Sequence, residues 1–309
     1  MPEMTRRQAL QFSISSFAAA ELLKAATFPE WKTGKMAVPG GNVLWRTHGG
    51  GPKAPILMVH GGPSGADSRP YAIMSALGDE RQLVTWDQLD CGDSDHPNNP
   101  ANWRHARFVE EMDAVRNKLA PGPVHILGGS WGSTLAMEWL VTKRPSNVLS
   151  VIFFCPGLDY TRTETSRRAA QKRLSPESSA AFDELAKTGD ASNPALAAAN
   201  AEYLRTFVIR NPPPPEIYGK GRPNPAMMRG LFADWRNWSR VAELPKLKQP
   251  LLLIRGEYDY VTDDDVAFYA AARPGTETAV IPKAAHLAFL DNPEVSNAVV
   301  RKFLNRVER

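Results

Sequence analysis

Val124-His125-Ile126-Leu127-Gly128-Gly129-Ser130-Trp131-Gly132-Ser133-Thr134-Leu135-Ala136-Met137-Glu138-Trp139-Leu140 decides the fold of this chain. An apolar run of strand type, Val124 to Leu127, passes through a small-residue turn into the helix-compatible stretch Thr134 to Leu140. A serine between glycines on a sharp strand-to-helix turn has its hydroxyl pushed into the open, and the glycines are needed where the backbone leaves no room for side chains. The stretch reads as a nucleophile elbow, with Ser130 as candidate nucleophile. A turn kept small for packing alone is the competing reading, and the strand before it and the helix after it count against that.

A nucleophilic serine needs a base, an orienting acid and an oxyanion site, and behind an elbow of this kind the acid precedes the base in the chain. Downstream, Pro250-Leu251-Leu252-Leu253-Ile254-Arg255 is a continuous apolar run of buried parallel-strand type that empties into Gly256-Glu257-Tyr258-Asp259. Asp259 is the candidate acid. The neighbouring Thr262-Asp263-Asp264-Asp265 resembles a helix N-cap, the plainer use for an aspartate there, and Asp159, after the preceding strand, is the alternative acid. The strand Thr278 to Ile281 is followed by the loop Pro282-Lys283-Ala284-Ala285-His286, and Asn292-Pro293-Glu294 opens the last helix. His286 is the candidate base.

Of the other five histidines, His125 lies inside a strand, His48 and His105 fall near polar surface segments, and His96 sits in a Pro/Asn-rich loop. His60 closes the strand Ile56 to Val59 and begins His60-Gly61-Gly62-Pro63, a turn that carries a backbone N–H toward the nucleophile. His60 and Gly61 are therefore expected to shape the pocket, and the N–H groups of Gly62 and Trp131 to form the oxyanion hole. In this scheme His286 takes the Ser130 proton and returns it to the leaving group, while Asp259 fixes the ring tautomer.

The rest of the chain follows an α/β rhythm, with strands also at Asn42–Arg46, Pro55–His60, Leu83–Trp86 and Val148–Phe154, and a helix over Phe108–Leu119 whose Val109, Met112, Val115 and Leu119 share a face. The expected architecture is a mostly parallel sheet flanked by helices, with core segments 36–157 and 243–309. Residues 158–242 break the rhythm: they hold no convincing strand, several Ala- and Arg-rich helical stretches, and the four prolines of Asn211–Pro215. They read as an inserted helical cap, with Pro213–Gly221 as a candidate hinge. Its aromatics Tyr203, Phe207, Tyr218, Phe232, Trp235 and Trp238 divide between cap core and pocket lining; Trp235, Trp238 and the core residue Tyr260 are the candidate substrate contacts.

At 309 residues, 43% apolar and 23% charged, the chain can bury one large core plus an insertion. A formal charge of +4, spread without aromatic interleaving, argues against nucleic-acid binding. Two cysteines make no disulfide framework; Cys91 and Cys155 follow strands that are not neighbours, so both are expected as free thiols, Cys91 near the pocket mouth. Neither paired His or Cys at metal spacing nor a Gly-rich phosphate loop occurs, so no metal and no cofactor is assigned. The expected partner is a small-molecule or short-peptide substrate; oligomeric state is left open. No run approaches the ~18 residues of a membrane span. Residues 1–30, with Arg6-Arg7 before Phe12 to Ala20, are similar to a twin-arginine export leader, although Glu21 and Lys24 interrupt it; an amphipathic helix is the alternative, and location divides accordingly between periplasm or secretion and cytoplasm.

His60-Gly61-Gly62-Pro63, Trp86-Asp87-Gln88-Leu89-Asp90-Cys91-Gly92-Asp93-Ser94-Asp95, Gly128 to Ser133, Gly256-Glu257-Tyr258-Asp259 and Ala285-His286, in this order over residues 36 to 309, together resemble the proline iminopeptidase family of α/β-hydrolases. The resemblance implies an α/β-hydrolase fold and a serine exopeptidase or amidase that removes an N-terminal proline or other residue from small peptides or amino-acid amides, without a cofactor. Such enzymes hold the substrate's free amine with carboxylates. In the tricorn-interacting members one is the glutamate after the catalytic aspartate, which is Tyr260 here, and a second lies in the cap, where Asn224–Gly230 has no acid. Glu202, Glu216 and Glu243 are the candidate substitutes, and Ser64 replaces the usual glycine after Pro63. A site without an acid for the ammonium favours an esterase or lactonase on the same frame, which stays open as the alternative. A binding protein on a retired hydrolase scaffold is the reading of a different class, and the complete set of candidate catalytic residues argues against it.

Overall fold

The computed structural model describes residues 30–309 apart from 214–216 and 218–223. The leader-like segment and the greater part of the candidate hinge lie outside the described residues, as do Glu216 and Tyr218. Eight strands, β1 (Lys32–Val38), β2 (Gly41–Gly49), β3 (Lys53–Val59), β4 (Arg81–Trp86), β5 (Val124–Gly129), β6 (Val148–Phe154), β7 (Leu251–Gly256) and β8 (Glu277–Ile281), form one sheet in the order β1-β2-β4-β3-β5-β6-β7-β8. β1, β2 and β4 pair antiparallel, and from β4 to β8 every pairing is parallel. β5 and β7, each flanked by a strand on both sides, are buried along their whole length, which is why they read as unbroken apolar runs. β1 was not expected. Its Lys32-Thr33-Gly34-Lys35 half is polar because it is a half-exposed edge, so the core begins at residue 32 and not at 36.

Helices α1 (His105–Leu119) and α2 (Trp131–Lys143) follow β4 and β5, and α2 packs directly on β5. α1 starts three residues before the expected Phe108. Its His105 is buried among Trp131, Trp235 and Trp238, which corrects the expectation of a surface position. Between β6 and β7 run α3 (Tyr160–Gln171), α4 (Pro176–Thr188), α5 (Ala195–Tyr203), a π-type turn over Leu204–Val208 and α6 (Pro225–Trp235). The part from α3 to the π-type turn carries a small apolar cluster of its own, including Leu174, Phe182, Leu196 and Phe207, whereas Met227, Leu231 and Trp235 of α6 join the main core. Glu138 of α2 ties the insertion to the sheet layer: it accepts from Trp238 Nε1 at 2.8 Å and from Arg240 at 2.8 and 3.0 Å. After β7, α7 (Asp263–Ala272) opens on a capping box between Thr262 and Asp265, and α8 (Pro293–Val307) opens on Asn292, whose side chain accepts from Val295 N–H.

At the end of the sheet where the parallel strands begin, Glu308 accepts from Arg81 Nη1 and Nη2 at 2.6 and 2.9 Å and pairs with His125 Nε2 at 3.0 Å. His125 Nδ1 meets Ser150 Oγ at 2.8 Å. One network thus pins β4, β5, β6 and the C-terminal residues together. Cys91 and Cys155 are both free and buried.

Candidate active site

At the opposite end of β5 the chain turns sharply. Ser130 has φ 52° and ψ −121°, a conformation a side-chain-bearing residue adopts only when its surroundings impose it. Its N–H is held by Phe154 O at 2.9 Å, tying the turn to the end of β6. Gly132 is required by close approach: a Cβ there would lie 2.0 Å from Val59 O. The loop after β3 passes the turn with Gly62 at φ 58°, its carbonyl accepting from the N–H groups of Gly65 and Ala66. His60 fixes that loop, because its Nδ1 bonds Gly61 O at 2.8 Å and its Nε2 accepts from Gln88 N–H at 2.9 Å. Gln88 in turn donates to His60 O and accepts from Trp131 Nε1, both at 2.9 Å. Both nitrogens of His60 are therefore occupied. Trp131 opens α2, so its N–H is one of the helix donors without an intrahelical acceptor, and it flanks Ser130 as a candidate oxyanion donor beside Gly62.

Behind this loop Asp87 is fully buried. It accepts from Arg46 at 2.6 Å, from the Ser68 hydroxyl and N–H at 2.6 and 2.8 Å, and from Asp93 N–H at 2.9 Å. Burial alone would raise its pKa, but Arg46 and these donors hold the carboxyl below its ordinary value. The acid of the Asp-Gln motif is thus a structural anion that shapes the loop.

His286 Nδ1 bonds Asp259 Oδ1 at 2.8 Å, and the same oxygen accepts from Val261 N–H at 3.0 Å; both side chains are buried. Asp159 instead caps α3, accepting from Arg162 N–H, so the structure brings Asp259 and not Asp159 to the histidine. The insertion positions the histidine loop: His286 N–H donates to Phe207 O at 3.1 Å and Leu287 N–H to Val208 O at 2.8 Å. Buried Asp291 accepts from the N–H groups of Ala285, Arg210 and Asn211, each at 2.7 Å. Among the described residues, Cys155, Asp259 and His286 are the one group of donors close enough to share a metal ion, and two of the three are bonded to each other.

Tyr260 stacks on His286 with ring centroids 4.3 Å apart, and its hydroxyl lies 3.2 Å from Nε2. Since Nδ1–H is given to Asp259, Nε2 carries the lone pair and accepts the phenol O–H. The Ser130 hydroxyl lies beside the same phenol, and no hydrogen bond from Ser130 to His286 occurs among the described residues. Burial, together with Tyr203 and Asp259, pushes the Tyr260 phenol well above its ordinary value, so it stays a neutral donor. Cys155, not Cys91, is the thiol at this site: its Sγ donates to His286 O, and burial beside Asp259 keeps it protonated. Cys91 lines neither cavity described below, which corrects its expected place near the pocket mouth.

Two cavities meet at Ser130. The histidine-side cavity, about 550 Å³, is lined by His60, Gly61, His286, Leu287 and Phe289, and also by Arg167 and Tyr203 from the insertion. The cap-side cavity, about 480 Å³, is lined by Trp131, Tyr160, Glu164, Phe232 and Trp235. Gly62, Ser130, Arg167 and Tyr260 belong to both. Trp238 lines neither; its indole is spent on Glu138, so it is an anchor of the insertion and not a pocket residue. Glu202 is bound to Ser175 and Ser178, Glu243 pairs with Lys246, and both lie outside the two cavities. The carboxylate lining the cap-side cavity is Glu164, which receives Arg167 Nε and Nη2 at 2.8 and 2.7 Å. Tyr160, Thr163, Glu164 and Arg167 recur at i, i+3, i+4 and i+7, one helix face. Apolar periodicity passes over that face because it is polar.

A family model described as the alpha/beta hydrolase fold matches residues 54–293. A proline iminopeptidase of Heyndrickxia coagulans is 31% identical over 89% of this chain and 99% of its own length, and one of Levilactobacillus brevis is 29% identical over 82% and 89%. The crystal structure of the Mycobacterium smegmatis proline iminopeptidase superposes with a TM-score of 0.75 at 25% identity, covering 89% of this chain and 98% of that one. An esterase of Thermogutta terrifontis, at 19% identity and a TM-score of 0.62 over 91% of this chain and all of its own, shares the fold.

Proposed function

Because this chain belongs to the proline iminopeptidase family of α/β-hydrolases, we propose that it is a serine hydrolase that removes an N-terminal proline, or another residue with a free amine, from short peptides or amino-acid amides. Ser130 attacks the scissile carbonyl as its proton passes to His286 Nε2, and the carbonyl electron pair moves onto oxygen beside the N–H groups of Trp131 and Gly62. Asp259 remains a carboxylate and stabilises the imidazolium. The imidazolium then protonates the departing amine, and water releases the acyl group by the same steps in reverse. For this cycle the Tyr260 hydroxyl must yield Nε2 to Ser130 when substrate arrives. The segment 158–242 acts as a lid over the strand ends.

The observation that carries an amine-reading site is Glu164, a carboxylate facing a cavity walled by Trp131, Tyr160, Phe232 and Trp235. An ammonium group placed there meets an acid and several aromatic faces. The ester reading draws on Tyr260, a neutral phenol at the position where the tricorn-interacting members of the family carry an acid, and on the pairing of Glu164 with Arg167. Matched chromogenic substrates separate the two: prolyl and alanyl arylamides with free amines, their N-acetyl forms, and a short-chain aryl ester. Cleavage of the free-amine arylamides alone, lost in Ser130→Ala, is expected; serine-dependent cleavage of the ester alone would overturn the amide reading.

A further inference from the structure

The histidine-side cavity contains His286, which delivers the proton to the leaving group, and the cap-side cavity does not. The departing half of the substrate therefore occupies the histidine side. In that cavity two hydrogen-bond donors are left without acceptors among the described residues. The Tyr203 hydroxyl is buried and has no partner. Arg167 gives only Nε and Nη2 to Glu164, so three of its five N–H groups remain, the two on Nη1 among them. A buried hydroxyl without a partner destabilises the fold, a penalty that an accepting ligand removes. Among the described residues the one acid lining this cavity, Asp67, is closed off by Arg69, which bonds it from its N–H, Nε and Nη2. The cavity thus offers donors, one of them cationic, and apolar walls from Phe154, Val208, Leu287, Phe289 and Leu290.

We propose that Arg167 and Tyr203 form a carboxylate subsite that takes the free carboxyl terminus of the departing fragment, so that the preferred substrates are short peptides ending in an apolar residue with a free carboxylate. A guanidinium presents planar, paired donors that match a carboxylate, and the phenol adds a third. The inference rests on the aminopeptidase reading for the substrate, but the subsite itself does not. Arg167 lies at the junction of the two cavities and holds Glu164, so one side chain organises recognition of both charged ends of a short peptide.

Prolyl-phenylalanine and its C-terminal amide, compared by kcat/KM, test the preference, and 3-phenylpropanoate against 3-phenylpropanamide as competitive inhibitors test the subsite with any substrate the enzyme cleaves. The free acid is expected to be favoured by about tenfold or more in both comparisons, the size of a hydrogen bond to a charged group. Tyr203→Phe removes only the unpartnered hydroxyl, so the fold should hold, and the acid-to-amide preference should shrink several-fold through KM. Arg167→Lys should shrink it as well, because an ammonium keeps the charge but loses the paired geometry. Equal rates and equal inhibition for acid and amide, or a preference unchanged in Tyr203→Phe, would overturn the proposal. If neither peptide is cleaved while 3-phenylpropanoate still outcompetes its amide in a Tyr203-dependent way, the subsite stands and the aminopeptidase reading falls.

Discussion

The two ends of the sheet treat polar groups in opposite ways. Where the parallel strands begin, Arg81, His125, Ser150 and Glu308 satisfy one another in a closed network. Where they end, Ser130 sits at φ 52°, and the Tyr203 hydroxyl, Trp235 Nε1 and Asp259 Oδ2 are buried without partners. A group left unsatisfied in a folded protein costs stability, and these three lie around Ser130 and His286, where a ligand can supply the missing partners. The first end holds the fold, and the second carries the proposed chemistry.

Substitutions at the two ends should therefore separate activity from stability. The largest effect is expected for Asp259→Asn, which leaves the fold intact but deprives His286 of its tautomer and lowers turnover by about 10⁴-fold; near-normal rates, with loss in Asp159→Asn, would move the acid to α3. At the other end, Glu308→Ala strands the buried Arg81 and should lower unfolding stability by about 3 kcal/mol in denaturant titration without changing kcat/KM. Although burial alone raises the Glu308 pKa, Arg81 and His125 hold it below its ordinary value. Its contribution is thus present above the unfolded-state pKa and fades as pH falls through the lower folded-state value, so the gap between wild type and Glu308→Ala should close in acid. Smaller is Glu164→Gln, expected to reduce kcat/KM for free-amine arylamides about tenfold while leaving any activity on N-acetyl forms unchanged, the loss of one charge-assisted contact. Smallest is Tyr260→Phe. Freed of a competing hydrogen bond of about 1 kcal/mol at Nε2, the variant should turn over up to about fivefold faster; a slower enzyme would show that the phenol takes part in catalysis.

What the sequence disclosed follows the same division. β5, β6 and β7 were legible because strands buried on both faces read as apolar runs, and Ser130, Asp259 and His286 were legible because each sits where such a strand or its loop ends. β1 escaped notice because an edge strand needs little apolar content. Glu164 and Arg167 escaped because a pocket-facing polar helix face has the same composition as a solvated one. Asp291, which bonds the histidine loop to the insertion, lies in no motif; only the tertiary arrangement brings residues 210 and 285 to one carboxylate. Trp238 was misread because an aromatic residue in a lid serves packing or substrate equally well until its hydrogen-bond partner is known.

The proposed cycle passes through an acyl-enzyme on Ser130. Rapid quench of the protein with a prolyl 4-nitrophenyl ester, followed by intact mass and peptide mapping, tests it most directly. A stoichiometric nitrophenol burst with a prolyl adduct on the peptide containing Ser130, and neither in Ser130→Ala, is expected; steady turnover that survives in Ser130→Ala, with no adduct at that position, would rule out Ser130 as the nucleophile.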